Sequence, residues 1–163
     1  MRRTRRLTIL LACCCAAFGT FGTSGCTVLD SAMYYQFSFD MTADGQHAVV
    51  LEYKLSAGDQ LVMASIPSAK TNGLYAEGVY TSKLRPTRLS VHWKDLADGR
   101  DYVQDADLTG KLKGDLNGTT IYLMIDGAHL SIFLVLPSQR GAEQPSIGPR
   151  IYSDRAVSLV YSN

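Results

Sequence analysis

The chain has 163 residues, with 16 Lys and Arg against 15 Asp and Glu, for a formal net charge of +1. Four of those cations are Arg2, Arg3, Arg5 and Arg6, so without the extreme N-terminus twelve basic residues face fifteen carboxylates and the balance turns acidic. No basic stripe is left to collect phosphates, which argues against nucleic acid as a partner.

In chain order the first feature reads as an address. MRRTRR runs into LTILLACCCAAFGTF, and no charge occurs between residues 7 and 28. A basic start, a short apolar run and an exit of small residues make a secretory signal peptide. The strongly apolar part, residues 7–18, is shorter than the roughly 20 residues a spanning helix needs.

The leader ends in Thr23-Ser24-Gly25-Cys26, which resembles the lipobox of bacterial lipoprotein precursors. The resemblance implies that the Cys26 thiol receives a diacylglycerol, that the chain is cut before it, and that the new amino group is acylated too. Thr23 stands where that family usually has Leu. Cys13 also follows a fitting Leu10-Leu11-Ala12, but cleavage there would leave an apolar run shorter than the usual 7 to 15 or so residues. Cys26 is therefore the expected lipidation site. The expected organisation is a leader over residues 1–25, a lipidated cysteine and tether over 26–33, and one β-rich domain over 34–163. Two or more fatty chains give stable attachment where one does not. Thr27 is not the aspartate associated with inner-membrane retention, so the family rule implies the periplasmic face of the outer membrane. Cys13, Cys14 and Cys15 leave with the leader and Cys26 is consumed, so the mature chain has no disulfide and no thiolate for zinc. No cofactor beyond the covalent lipid is expected.

The rest of the chain reads as strands and turns. YYQFSFDM (34–41) alternates apolar and polar residues, the mark of a half-buried strand. HAVVLEYKL (47–55) does the same beyond Asp44 and Gly45, so the two are expected to form a hairpin. LVMASI (61–66), VYTSKL (79–84) and RLSVHW (88–93) follow, and DYVQDADL (101–108) is expected to return antiparallel to the last of these. TTIYLMIDGAHLSIFLVL (119–136) is the plainest hairpin, split by Asp126 and Gly127, and AVSLVYS (156–162) closes the chain. Residues 111–116 allow at most a turn of helix. About eight short strands predict an all-β fold, an antiparallel β-sandwich or open barrel.

Residues suited to catalysis are sparse. His47, His92 and His129 are far apart and lack the i+2 or i+4 partners of a zinc site, and alternation puts His92 on the solvated face. No nucleophile elbow or Ser-x-x-Lys is present. Asp95, Asp98, Asp101, Asp105 and Asp107 lack calcium-loop spacing and fall at turns, where aspartate caps its own backbone. The chain is therefore expected to be neither an enzyme nor a metal protein.

Two stretches suit recognition better. PSQRGAEQPSIGPRIYSD (137–154) is long for a connection, and its three prolines limit the freedom lost on binding. Arg140, Glu143, Arg150 and Tyr152 are its expected partner contacts; the competing reading is a crossover between sheets. The second is the mix of Tyr75, Tyr80, Lys83, Arg85 and Arg88, types enriched at interface hot spots.

Residues 85–112 and 117–136, with Trp93, Gly99, Tyr102 and Leu108 at the matching places, resemble a pattern in small proteobacterial lipoproteins. Several of those look like immunity partners of antibacterial lipases delivered by type VI secretion. The resemblance implies a periplasmic protein that binds and blocks such an effector. The alternatives are a structural or adaptor lipoprotein of an envelope assembly, and a carrier of a small ligand or lipid.

Overall fold

The computed structural model describes residues 32–66 and 72–163. The expected leader, Cys26 and the tether up to residue 31 lie outside them, as does part of the link between the third and fourth strands. Among the described residues the alternating runs become nine strands: β1 (Met33–Asp40), β2 (Ala48–Ala57), β3 (Gln60–Ser65), β4 (Tyr75–Ser82), β5 (Arg88–Asp95), β6 (Asp101–Asp107), β7 (Thr119–Asp126), β8 (His129–Gln139) and β9 (Arg155–Ser162). Residues 111–116 form turns rather than helix. Their Leu112 and Leu116 are buried.

The strands make two packed sheets, a five-stranded one in the order β4-β1-β7-β8-β9 and a four-stranded one in the order β3-β2-β5-β6. The fold is a β-sandwich, not a closed barrel. Period-two alternation aims every second side chain at the gap between sheets. Tyr35, Phe37 and Phe39 of β1 thus meet Tyr53 and Leu55 of β2, Leu89, Val91 and Trp93 of β5, and Ile121, Leu123 and Ile125 of β7. Phe37 stacks on Tyr53 with ring centroids 4.7 Å apart. Trp93 lies flat against Tyr102, and its indole N–H donates to the Gly127 carbonyl at 3.0 Å, tying β5 to the β7–β8 turn.

Both later hairpins form as expected. β5 pairs antiparallel with β6, and β7 pairs with β8 in a register that places Asp126 opposite His129. Gly127 takes a φ of +59° at the first of the two turn positions, the place where a tight hairpin of the type II′ kind needs a residue without Cβ.

The expected hairpin of residues 34–41 with 47–55 does not form. β1 and β2 belong to different sheets, and β1 pairs instead with β4 and, in parallel, with β7. Asp44 and Gly45 do adopt left-handed φ values of +57° and +73°, so the turn itself is real. The connection around it has other work. Met41 is buried, Gln46 donates its amide to the Asp40 carbonyl, and the Gln46 side-chain oxygen accepts the Ile125 N–H. These contacts carry the chain across the end of the sandwich, so the apolar faces of β1 and β2 oppose each other.

Candidate binding surface

The stretch over 137–154 does not cross between sheets. Its first three residues finish β8, and β8 and β9 are neighbours in one sheet, joined by residues 140–154. Hairpins usually close in 2–5 residues, so this connection has length to spare, and it folds back over the outer face of the five-stranded sheet.

That face carries apolar residues of its own. Tyr122, Phe133 and Val135 point away from the main core yet are buried, packed with Met124, Val157 and the loop's Tyr152. The Tyr152 ring meets Tyr122 edge-on at 5.5 Å between centroids. Gly148, at φ +77°, lies so close that a Cβ there would fall 2.9 Å from the Phe133 ring. The site therefore requires glycine twice over, for its backbone and for its room.

Polar bonds hold the rest of the loop. The Arg140 N–H donates to the Asp154 carbonyl at 2.9 Å, its Nε to Ser153 at 3.0 Å and its Nη1 to Gln144 at 2.9 Å. At the far end the Arg150 N–H is shared by both Asp44 carboxylate oxygens at 3.2 and 3.3 Å, and Arg150 Nε lies 3.4 Å from Oδ1. The Asp44 side chain is only 6% exposed and that of Arg150 is 88% exposed. Asp44 thus anchors the backbone and pairs with the guanidinium through Nε, while most of the Arg150 side chain stays open to solvent.

The four residues expected to contact a partner divide by role. Glu143 and Arg150 face solvent, whereas Arg140 spends its donors on the loop and Tyr152 is half-buried against Tyr122. Sequence reasoning missed Ile147 and Ile151, exposed apolar residues on the same loop. It also missed an adjoining cleft of about 320 Å³ lined by Asp44, Gln46, Met124, Asp126, His129 and Phe133. Ile151 has a sequence signal, a β-branched residue beside Arg150 in an otherwise polar loop. The cleft has none, because its walls come from segments far apart in the chain.

The second stretch is not one surface. Tyr75 begins β4 and donates its hydroxyl to Glu77, Tyr80 packs against the main core, and Lys83, Arg85 and Arg88 sit at the opposite end. Of the aspartates expected at turns, Asp95, Asp98 and Asp107 take that role, as does Asp115, whereas Asp101 and Asp105 lie within β6 instead. Asp95, Asp98, Asp107 and Asp115 accept the N–H groups of Ala97, Arg100, Thr109 and Asn117. These bonds hold the Asp98, Asp107 and Asp115 carboxyls below their ordinary range. His92 projects from the outer face of the four-stranded sheet, 3.8 Å from Asp101. Among the described residues no three His, Cys, Asp or Glu converge as metal ligands, and no helix is long and apolar enough to cross a membrane.

Protein-family models, curated proteins and solved structures were compared with the chain, and none matches.

Proposed function

We propose that this chain is an exported lipoprotein, anchored through acyl chains on Cys26 at the periplasmic face of the outer membrane, whose β-sandwich is a non-catalytic protein-binding module. The partner class that fits best is an antibacterial effector of the lipase type, which an immunity protein at a membrane would meet on arrival. Restriction to a thin layer beside the bilayer raises the effective concentration of such a binder.

The observation that carries the binding reading is the seated loop over 140–154. Its proline positions, the Arg140 bonds and the Asp44 anchor leave little freedom to lose on association. It presents Arg150 and the 54%-exposed Ile151 side by side, an Arg–apolar pairing typical of an interface anchor with a polar rim.

The test has a cellular and a molecular arm. Deleting the gene kills the cell only while an effector gene beside it is intact, if the protein confers immunity. Loss of an envelope assembly with no such rescue would instead identify an adaptor. In vitro, Ile151→Asp together with Arg150→Glu weakens partner binding by about tenfold or more with an unchanged unfolding midpoint. Equal affinity of the double variant and the wild type would remove this loop from the interface.

A further inference from the structure

The two ends of the sandwich differ in charge. The strand pairings bring the links between β2 and β3, β4 and β5, and β6 and β7 to the end where Met33 begins β1. Ser82 pairs with Met33, the Gly118 N–H donates to the Tyr34 carbonyl, and the Thr87 N–H donates to the Ser56 carbonyl. Arg85 then joins two of these links, donating through its guanidinium to the carbonyls of Leu112 and Gly114. The charged residues of this end are Lys83, Arg85, Arg88, Lys111 and Lys113, with Arg140 and Arg155 where β8 ends and β9 begins, against Asp59, Asp107, Asp115, Glu143 and Asp154. Asp107 and Asp115 are already engaged by backbone N–H groups, while Lys83 and Lys113 are exposed.

The opposite end has the reverse balance. Pairing of Asp40 with Tyr75, Ala48 with Asp95 and Asp126 with His129 gathers Asp40, Asp44, Glu77, Asp95, Asp98, Asp101 and Asp126 there. Among the described residues its cations are Lys94, Arg100 and Arg150. Charge is thus polarised along the strands, with the basic end at the point where the chain continues toward Cys26.

We propose that this basic end docks on the anionic surface of the bilayer that holds the anchor, turning the acidic end and its cleft toward the aqueous phase. The inference rests on the lipoprotein reading for the nearness of a membrane. Six residues' length separates Cys26 from Ala32, and a fully extended chain of that length spans about 20 Å at most. The Met33 end is therefore the part of the domain the anchor holds closest to the headgroups. Electrostatic attraction reaches about 8 Å at physiological salt, so Lys83 and Lys113 engage only when this end faces the surface. Leu84 and Tyr34, both exposed at the same end, add apolar groups that suit the headgroup layer.

Lysine footprinting tests this with native side chains. A chain beginning at Cys26, made without its leader so that the thiol stays free, is coupled through Cys26 to a maleimide-bearing lipid in vesicles of neutral phosphatidylcholine, or of the same lipid with phosphatidylglycerol. The anchor is then present whether or not the cell acylates that cysteine. Under sparse acetylation, Lys83 and Lys113 should react about fivefold more slowly on the anionic vesicles. Lys94, at the far end, should keep its rate, and high salt should abolish the difference. Equal slowing of all three lysines, or the same rates on both vesicles, would overturn the docking. Whether Cys26 carries acyl chains in the cell is read separately from the intact mass of the membrane-extracted protein, so the two failures stay distinct.

Discussion

The two outward faces of the sandwich are built from equally regular strands and end up unlike each other. Outside the five-stranded sheet, Tyr122, Phe133 and Val135 form a second small core roofed by residues 140–154. Outside the four-stranded sheet no described residue roofs the face. Arg88 stands opposite Asp107 and Lys94 opposite Asp101, Lys54 pairs with Glu52 at 2.8 Å, and Val103 is 69% exposed between them. What separates them is spare chain within the hairpins. β2 and β3 are joined by Gly58 and Asp59 alone, and β5 and β6 by the Asp95–Arg100 turn, so neither of these hairpins has a connection that can fold back. A sheet can carry large apolar residues on its second face only where a connection is long enough to cover them; elsewhere that face has to be charged.

The sharpest way to break this comparison is Tyr122→Ala. It empties a fully buried position on the roofed face and should cost about 3 kcal/mol in a denaturant titration. Gly148→Val strikes the roof itself, demanding both an unfavourable backbone and room that Phe133 occupies. A loss of about 2 kcal/mol is expected, together with faster proteolysis within residues 140–154. An unchanged midpoint would mean the loop is not seated on the sheet.

Alkali probes the buried tyrosines next. Burial pushes Tyr35 and Tyr80 up to about 12, and Tyr122 rises further for the same reason. A hydroxyl with a folded pKa above its unfolded value near 10 favours the fold in its neutral form. Its contribution is intact below pH 10 and fades as the pH climbs toward 12. Tyrosinate absorbance should therefore lag behind that of free tyrosine and then appear together with unfolding. Earlier ionisation of Tyr122 without unfolding would show that the roof opens alone.

A smaller effect of opposite sign comes from Tyr122→Phe. The Tyr122 hydroxyl is buried and has no hydrogen-bond partner among the described residues, so its removal should stabilise by up to about 1 kcal/mol. The least effect belongs to the outer face of the four-stranded sheet, where Lys54→Ala should stay within about 0.5 kcal/mol of wild type. At acid pH the depressed Asp98, Asp107 and Asp115 lose their advantage as each is protonated. Stability should therefore begin to fall below about pH 4, the unfolded carboxylate value, and continue to fall through the lower folded ones.

Much of the fold was legible beforehand for a local reason. Leu89, Val91 and Trp93 alternate with Ser90, His92 and Lys94, and that period alone assigns one set to the core and the other to water. The β7–β8 hairpin was equally plain from Gly127 between two β-branched and aromatic runs. Alternation names a face and never a neighbour, however, so the pattern and the turn at Asp44 and Gly45 point β1 at β2 although it pairs with β4 and β7. Its pairing with β7 joins residues more than eighty positions apart, and nothing within either strand announces it. Tyr122 and Phe133 show the same limit. Both stand on the side of their strands turned away from the main core, and they are buried there beneath the returning loop over 140–154. At the loop itself Arg140 and Arg150 look alike in the chain, and only their surroundings separate the scaffold from the exposed contact.

The order of residues along this chain was sufficient to dictate strands, tight turns and the inward set of each strand, because those depend on dihedral preference and a two-residue repeat. Which strands share a sheet, which outer face is roofed and how charge divides between the two ends were decided by the folded body. Those outcomes depend on hydrogen bonds and packing between segments that meet only once the whole domain has closed.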